Sequence, residues 1–245
     1  MSVNTDLVSL SEAEGGVRII RLERDEARNA LNSEMLEAIL EYLGTVAADP
    51  EARALVISSN DHLGLSAGAD VKEDLDQAGS MRRMQLFADV YGAVVSFPKP
   101  TLAACHGSVV GGGAEIAIAC DLRVAGGNLR MKFPGAELGV PVGPARLVTL
   151  CGLSTAKYLL LTSRNVGAEE AFRLGLVHRV APAARTEEAT VELATEVAAH
   201  PMEAVARLKS MLHEWDGVEE RSATEGAGQV EWQRTGPGLP HSPSD

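Results

Sequence analysis

This chain is poor in aromatic residues and in positive charge, and both shortages narrow its possible partners. Phenylalanine, tryptophan and tyrosine together make up 4% of its 245 residues. Lysine and arginine number 22 against 34 aspartates and glutamates, which gives a net charge of −12. So acidic a chain is a poor partner for nucleic acid or for an anionic membrane surface. An anionic ligand would need local basic groups.

Cysteines and long apolar runs are also scarce. The three cysteines, Cys105, Cys120 and Cys151, lie in apolar surroundings without the spacing of a metal site. They are typical of small core residues in a reducing compartment, so we expect no metal and a cytoplasmic location. The sequence has no run of 18 apolar residues, so we expect no transmembrane helix. Its first ten residues lack a basic segment, so we expect no signal peptide.

What is present fits one large folded domain. With 45% hydrophobic residues, a chain of this length can bury a full core. Apolar periodicity predicts alternating strands and helices. The predicted strands are 17–22, 54–58, 101–105, 122–125 and 129–133, and the predicted helices are 33–48, 116–120, 154–161, 168–174 and 202–213. Asn32 is the predicted N-cap of the first helix.

The most informative stretch is a glycine run, Gly111-Gly112-Gly113, followed by Ala114 and Glu115. It joins a buried strand to a buried helix, and so exposes the positive end of the helix dipole and unpaired N–H groups. Glu115 is a candidate general acid or base, because burial among apolar neighbours raises a carboxyl pKa towards a useful value. A second interpretation needs no catalysis, since a first-turn glutamate gains about 0.3–1 kcal/mol from the dipole.

A second glycine segment precedes the first along the chain. Ser66-Ala67-Gly68-Ala69-Asp70 follows the predicted strand 54–58, and its small residues let the backbone approach a ligand closely. Each segment alone is explained by a plain turn. The two together predict a site for developing negative charge.

The motifs S-A-G-A-D and K-P-T-L-A-A-C-H-G-S-V-V-G-G-G-A-E-I-A-I-A-C-D resemble the crotonase (enoyl-CoA hydratase/isomerase) superfamily. Further matches, such as R-N-A-L-N at 28–32, extend the resemblance from about Val17 to about Leu212. The resemblance implies an α/β fold, a crotonase-like spiral of ββα turns with a helical C-terminal part, in trimers or dimers of trimers. It implies an acyl-CoA substrate and no separate cofactor, because coenzyme A is part of the substrate.

The resemblance also assigns roles to residues. The N–H groups of Ala69 and Gly112 would form an oxyanion hole for the thioester carbonyl, and Glu115 would be the general acid/base. Losing one such donor typically costs about 3–4 kcal/mol of barrier. The implied residues for binding substrate and coenzyme A are Arg28, Ala30, Ala67, Gly68, Asp70 and Lys72. Of these, Arg28 and Lys72 would serve the phosphates.

The sequence departs from the family pattern where a second catalytic glutamate is expected. In the segment Pro134-Gly135-Ala136-Glu137-Leu138-Gly139, the spacing of the proline and the last glycine places Gly135 at the glutamate's position. Glu137 lies two residues further on, up to ~7 Å away in an extended segment. Either the loop bends so that Glu137 serves, or one carboxylate acts alone. The loop that follows is also shorter than usual, which predicts a reshaped acyl pocket.

The C-terminus is the second departure. We divide the chain into a spiral core at 1–200, a helical trimerisation part at 201–235 and a tail at 236–245. The composition of the tail is typical of disorder. The resemblance implies a further helix after the one predicted at 202–213, which in family members commonly helps to close the coenzyme site of a neighbouring subunit. We expect that helix to be missing here.

Three rival interpretations remain. Gly64-Leu65-Ser66-Ala67-Gly68 matches the nucleophile elbow of serine hydrolases, but residues 60–63 interrupt the strand that an elbow requires. The glycine run lacks the third glycine of a dinucleotide loop. The protein could also bind acyl-CoA without turning it over.

The leading hypothesis is an enoyl-CoA hydratase, a lyase that adds water to trans-2-enoyl-CoA through an enolate. Isomerisation by a single carboxylate is its near rival. His106, next to the second motif, is expected to hydrogen bond a turn.

Overall fold

The strands divide between two sheets. The computed structural model describes residues 6–239. The strands are β1 (Val8–Ala13), β2 (Val17–Leu22), β3 (Ala54–Ser59), β4 (Gly64–Ser66), β5 (Thr101–Cys105), β6 (Ser108–Val110), β7 (Leu122–Gly126), β8 (Arg130–Lys132) and β9 (Arg179–Ala181). The helices are α1 (Ser33–Ala48), α2 (Gln77–Val95), α3 (Gly112–Ala119), α4 (Gly135–Leu138), α5 (Pro144–Thr162), α6 (Ala168–Arg173), α7 (Thr186–Ala198), α8 (Met202–Asp216) and α9 (Val218–Thr235).

The topology is a repeat of one supersecondary unit. The larger sheet has the order β1-β2-β3-β5-β7-β9 and is parallel except for the β1–β2 pair. The smaller sheet, β4-β6-β8, is parallel. Each unit therefore places one strand in each sheet and then forms a helix, as in β3-β4-α2 and β5-β6-α3. This confirms the predicted α/β spiral of ββα turns.

The central strands are buried on both faces. Alternate side chains of a strand point to opposite sides. On one side, Val56 and Leu102 pack in a cluster with Leu193 of α7, and on the other side Ile57 packs in the main core with Ile39 of α1. Parallel strands covered in this way carry nearly continuous apolar runs, which is why their positions were predictable.

Two predicted elements differ in length from the observed ones. The helix predicted at 154–161 is the second half of α5, which is interrupted at Gly152 by a left-handed φ of +76°. The strand predicted at 129–133 is reduced to three residues in β8. Asn32 is the N-cap of α1, and its side chain accepts a hydrogen bond from the Met35 N–H as predicted.

The expectation of a missing last helix was wrong. Helix α9 follows α8 after a turn at Gly217, whose φ is +70°. It packs closely against α2, since a Cβ on Gly226 would lie 3.0 Å from the Cβ of Ala88. Helix α9 was not predicted from the sequence, because its buried residues, Ser222, Gly226 and Gln229, form no apolar stripe.

The predicted tail 236–245 is described only in part. Residues 240–245 lie outside the described residues. Before them, Leu239 is 7% exposed, and its N–H donates to Oε1 of Gln233 in α9 at 3.0 Å. Across residues 6–239 no helix combines the length and the apolar character needed to span a bilayer.

Candidate active site

The two glycine segments meet at the ends of neighbouring strands of the smaller sheet. Strands β4 and β6 run parallel, so Gly68 and Gly111 lie side by side just beyond them. Their φ values are +100° and +49°, which favour glycine. A Cβ on Gly68 would lie 3.0 Å from the carbonyl oxygen of Val110, and one on Gly113 would lie 2.5 Å from Cβ of Ser66. Glycine is therefore required for this close approach.

The backbone at this junction offers two unused donors. Leu31 donates its N–H to the Gly68 carbonyl at 2.7 Å and accepts from the Asp70 N–H at 2.9 Å, a pattern that leaves the Ala69 N–H out of the pairing. Gly112 is the first residue of α3, so its N–H has no acceptor in the helix. Neither N–H has a backbone acceptor within residues 6–239, and both residues line the same cavity.

That cavity has a volume of about 280 Å³. Among the described residues that line it, Glu115 and Gln229 are the ones with polar side chains. The apolar side chains come from the loop after β4, from β6, from α2, from the segment after β8 and from the last described residue. These are Val71, Met84, Phe87, Val110, Phe133, Pro134, Leu138, Val140, Val142 and Leu239. The cavity is thus an apolar pocket with two backbone donors and one carboxylate.

Glu115 lies one turn inside α3 and is 1% exposed. Burial raises the pKa of its carboxyl to about 7, the Arg146 guanidinium opposes that rise, and the negative charge of Glu225 adds to it. The backbone makes room for the carboxylate at Gly143, where a Cβ would lie 2.5 Å from Oε1 of Glu115. At neutral pH this carboxyl group is available in both protonation states.

Arg146 of α5 is the partner of Glu115 and joins it to α9. Its Nη2 lies 2.8 Å from Oε2 of Glu115 and 2.5 Å from Oε1 of Glu225, and its Nη1 donates to Ser222 at 2.9 Å. The guanidinium stacks over the ring of Tyr91 at 4.9 Å from the ring centroid. Burial raises the pKa of Tyr91 well above its ordinary value, so its hydroxyl is neutral. The charges around the carboxylate therefore come from α5 and α9, and the neutral Tyr91 of α2 packs against the guanidinium.

The structure does not bring Glu137 into the cavity. Its side chain is 56% exposed and forms an ion pair with Lys132 at 2.6 Å. Gly135, the position that the resemblance assigns to the second glutamate, does line the cavity. A Cβ there would lie 2.5 Å from the Val140 carbonyl oxygen, so the present backbone cannot hold a glutamate at that position.

The six residues predicted to bind substrate and coenzyme A fall into three groups. Ala67 and Gly68 line the cavity. Asp70 instead accepts from Arg24 at 2.6 Å and from the N–H of Lys72 at 2.9 Å. The Arg24 guanidinium also bonds the carbonyl of Ala30 at 2.8 Å. These contacts brace the loop that carries the glycine segment.

The remaining two of the six, Arg28 and Lys72, are exposed basic residues near that loop. The Arg28 carbonyl accepts from the Ala67 N–H at 3.0 Å, which fixes its backbone beside the cavity wall.

Ser66 and His106 have structural contacts. The Ser66 hydroxyl is fully buried, donates to the Asn29 carbonyl at 2.7 Å and accepts from the Gly68 N–H at 3.1 Å. It orders the glycine segment and is no free nucleophile. Nε2 of His106 lies 2.8 Å from the carbonyl oxygen of Asp61, which also accepts from the Gly64 N–H, so His106 hydrogen bonds the turn before β4 as expected. Within residues 6–239, no three His, Cys, Asp or Glu side chains are grouped to hold a metal ion.

Sequence reasoning missed Arg146, Glu225 and Gln229. Arg146 is a lone basic residue in the otherwise apolar start of α5, and that isolation was the one available signal. Glu225 and Gln229 are four residues apart and share a face of α9. Nothing local distinguishes them from solvated residues, because only the packing of α9 on α2 and α5 buries them.

Comparison with known proteins gives consistent matches over most of the chain. Residues 12–229 match the family model for enoyl-CoA hydratase/isomerase. The short-chain-enoyl-CoA hydratase of Clostridium acetobutylicum is 32% identical over 207 residues, covering 82% of this chain and 79% of that protein.

Solved structures of enoyl-CoA hydratases and isomerases share the fold of this chain. An enoyl-CoA hydratase from Bacillus anthracis superposes with a TM-score of 0.82 at 27% identity, covering 93% of this chain and 90% of that one. A monofunctional enoyl-CoA isomerase from M. smegmatis superposes with a TM-score of 0.74 at 28% identity, covering 91% and 99%.

Proposed function

Because this chain belongs to the enoyl-CoA hydratase/isomerase family, we propose that it is an enzyme that reversibly hydrates trans-2-enoyl-CoA. The observation that carries the proposal is the buried carboxylate of Glu115 in an apolar cavity with two unused backbone N–H groups. An apolar pocket suits an acyl chain, and the donors suit a thioester oxygen that becomes negatively charged.

The oxyanion hole is formed by the N–H groups of Ala69 and Gly112. When a nucleophile or base attacks an enoyl thioester, the electron pair moves to the carbonyl oxygen and gives an enolate. Preorganised donors in a dry site stabilise that charge by about 3–4 kcal/mol each. The N-terminal end of α3 adds its dipole, because Gly112 begins the helix.

Glu115 moves the proton. In hydration, the water oxygen bonds to C3 while Glu115 takes one of the water's protons, and the C2=C3 electron pair passes to the thioester as the enolate. Glu115 then returns that proton to C2, so that H and OH have been added and no other reactant is needed. A carboxyl with a pKa of about 7 suits both steps near neutral pH.

Isomerisation is the alternative reaction at the same site. Glu115 would take the C2 proton of a 3-enoyl-CoA and deliver it to C4, shifting the double bond through the same enolate. A single carboxylate suffices for this exchange. Isomerisation is favoured by the position of Glu137, because its exposed carboxylate is paired with Lys132 outside the cavity and leaves Glu115 as the one carboxylate among the described residues that line it.

Coenzyme A enters as part of the substrate, and the proposed chemistry requires no other cofactor. Its phosphates need cations in a chain of net charge −12. Arg28 and Lys72 are exposed beside the segment that forms one wall of the cavity, and we assign the phosphates to them.

Self-association is proposed through α8, the first helix of the part at 201–235. Leu208, Leu212 and Trp215 are 60%, 60% and 74% exposed and lie on one face of this helix. Such a face in water favours burial against another subunit, as trimers or dimers of trimers. The proposed location is the cytoplasm, because all three cysteines are free thiols, as is usual in a reducing compartment.

The test is to assay the protein with a panel of 2-enoyl- and 3-enoyl-CoA substrates. The reactions are monitored by the absorbance of the conjugated thioester, and the products are identified by mass. Hydration adds the mass of water, whereas isomerisation changes absorbance without changing mass. The Glu115→Gln variant should lose whichever activity is found. Glu34→Gln is a matched control, because Glu34 is also a first-turn glutamate but is exposed. Tight acyl-CoA binding with no turnover of any substrate would show a non-catalytic binding protein.

A further inference from the structure

Gln229 is a buried polar side chain with an unfilled hydrogen-bonding position. It is 3% exposed, and its Oε1 has no hydrogen-bond partner within residues 6–239. It lines the same cavity as Glu115. Buried polar atoms in folded proteins are nearly always paired, so an unpaired one in a binding cavity indicates a ligand or a water.

Helix α9 is fixed so that Gln229 faces the cavity. One turn before it, Glu225 accepts from Arg146 at 2.5 Å and from the Ala145 N–H at 2.7 Å. Ser222, on the same face, accepts from Arg146 at 2.9 Å. The network that holds Glu115 therefore also sets the position of Gln229, and both side chains converge on the cavity.

The partner of Oε1 must bring a hydrogen-bond donor. The other side chains that line the described cavity, apart from Glu115, are apolar and cannot supply one. The carbons of an enoyl chain carry no N–H or O–H, and the thioester oxygen only accepts. A water molecule or a hydroxyl group on the acyl chain can donate, and hydration involves both in turn.

We propose that Gln229 binds the oxygen that is added to C3, as water in the forward direction and as the 3-hydroxyl in reverse. The proposal rests on the proposed function. Gln229 exchanges no proton in this role: its Oε1 accepts a hydrogen bond from one O–H while Glu115 takes the proton of the other, as the oxygen bonds to C3. In this role it gives the added oxygen a second hydrogen-bonding group besides Glu115, and so it favours hydration over isomerisation.

The test compares two reactions in one variant. Gln229→Met keeps the length of the side chain but cannot accept this hydrogen bond. We expect its kcat for hydration of a 2-enoyl-CoA to fall about 10-fold or more, as for a lost hydrogen bond at a reacting group, with isomerisation of a 3-enoyl-CoA within about 2-fold of wild type. Retained isomerisation also shows that the site is folded. Gln85→Met, at an exposed glutamine of α2, is the matched control and should change neither reaction.

A binding measurement keeps the proposal testable where the methionine variant does not fold. Wild type should bind a 3-hydroxyacyl-CoA more tightly than the saturated acyl-CoA of equal length, and Gln229→Leu should lose most of that preference. The proposal is overturned if the Gln229→Met variant hydrates as fast as wild type or loses both reactions equally. It is also overturned if the variant changes only the KM for substrates whose acyl chain carries a polar group far from C3. Wild type without any turnover would instead refute the proposed function itself.

Discussion

Nη2 of Arg146 lies 2.8 Å from Oε2 of Glu115, and the two side chains are 2% and 1% exposed. In so dry a setting the charges act strongly on each other, and removing one partner leaves the other uncompensated. The guanidinium limits the rise in the pKa of Glu115 that burial causes. Arg146 is therefore a positioning residue that sets when the carboxylate can accept a proton.

The first prediction concerns the pH dependence of activity. Glu115 accepts a proton in its ionised form, so kcat/KM should rise with pH through a value of about 7, the pKa of the free enzyme's carboxyl. Arg146→Gln removes the opposing positive charge, so this limb should move to higher pH. Arg146→Lys keeps the charge and should lie nearer to wild type. Initial rates between pH 5 and 9 measure all three.

Arg130→Gln serves as the control for this series, because Arg130 is an exposed residue of β8. Its profile should coincide with that of wild type. If the pH profile of the Arg146→Gln variant coincides with that of wild type, the ion pair does not control the proton transfer by Glu115.

The second prediction is that Glu115→Gln lowers turnover about 100-fold or more, the usual contribution of a positioned acid or base. Glutamine is nearly the size of glutamate and can still hydrogen bond to Arg146, so the fold should persist. Turnover at saturating substrate and circular dichroism measure the two effects. A fully active Glu115→Gln variant would leave the glutamate with a role in stabilising the start of α3 and no role in catalysis.

The parts of this site that the sequence predicted are those where local geometry leaves few choices. Positive φ values and contacts within 3.0 Å require glycine at Gly68, and the apolar run around Glu115 predicted its burial. Arg146 and Gln229 could not be predicted in the same way. Their environment is made by the packing of α9 on α2 and α5, which no local pattern of α9 encodes.

The third prediction tests the oxyanion hole. An enoyl thioester bound with its oxygen against the N–H groups of Ala69 and Gly112 should show a red-shifted absorbance, because the donors polarise the carbonyl. Gly112→Pro removes one donor and should abolish both the shift and the activity. Proline also brings a Cβ towards Phe87, whose Cε1 would lie 2.8 Å away, so binding of acyl-CoA by this variant is measured first. An unshifted spectrum for the saturated wild-type complex would refute the hole.

The last prediction concerns Glu137, whose carboxylate is 56% exposed and paired with Lys132. Exposed ion pairs contribute about 0–1 kcal/mol, so Glu137→Ala should change the free energy of unfolding by no more than about 0.5 kcal/mol. Hydration should stay within about 2-fold of wild type, because the side chain does not line the cavity. Chemical denaturation and initial rates measure the two quantities. A Glu137→Ala variant that binds acyl-CoA normally but no longer hydrates it would mean that the loop after Phe133 rearranges on binding and supplies the second carboxylate.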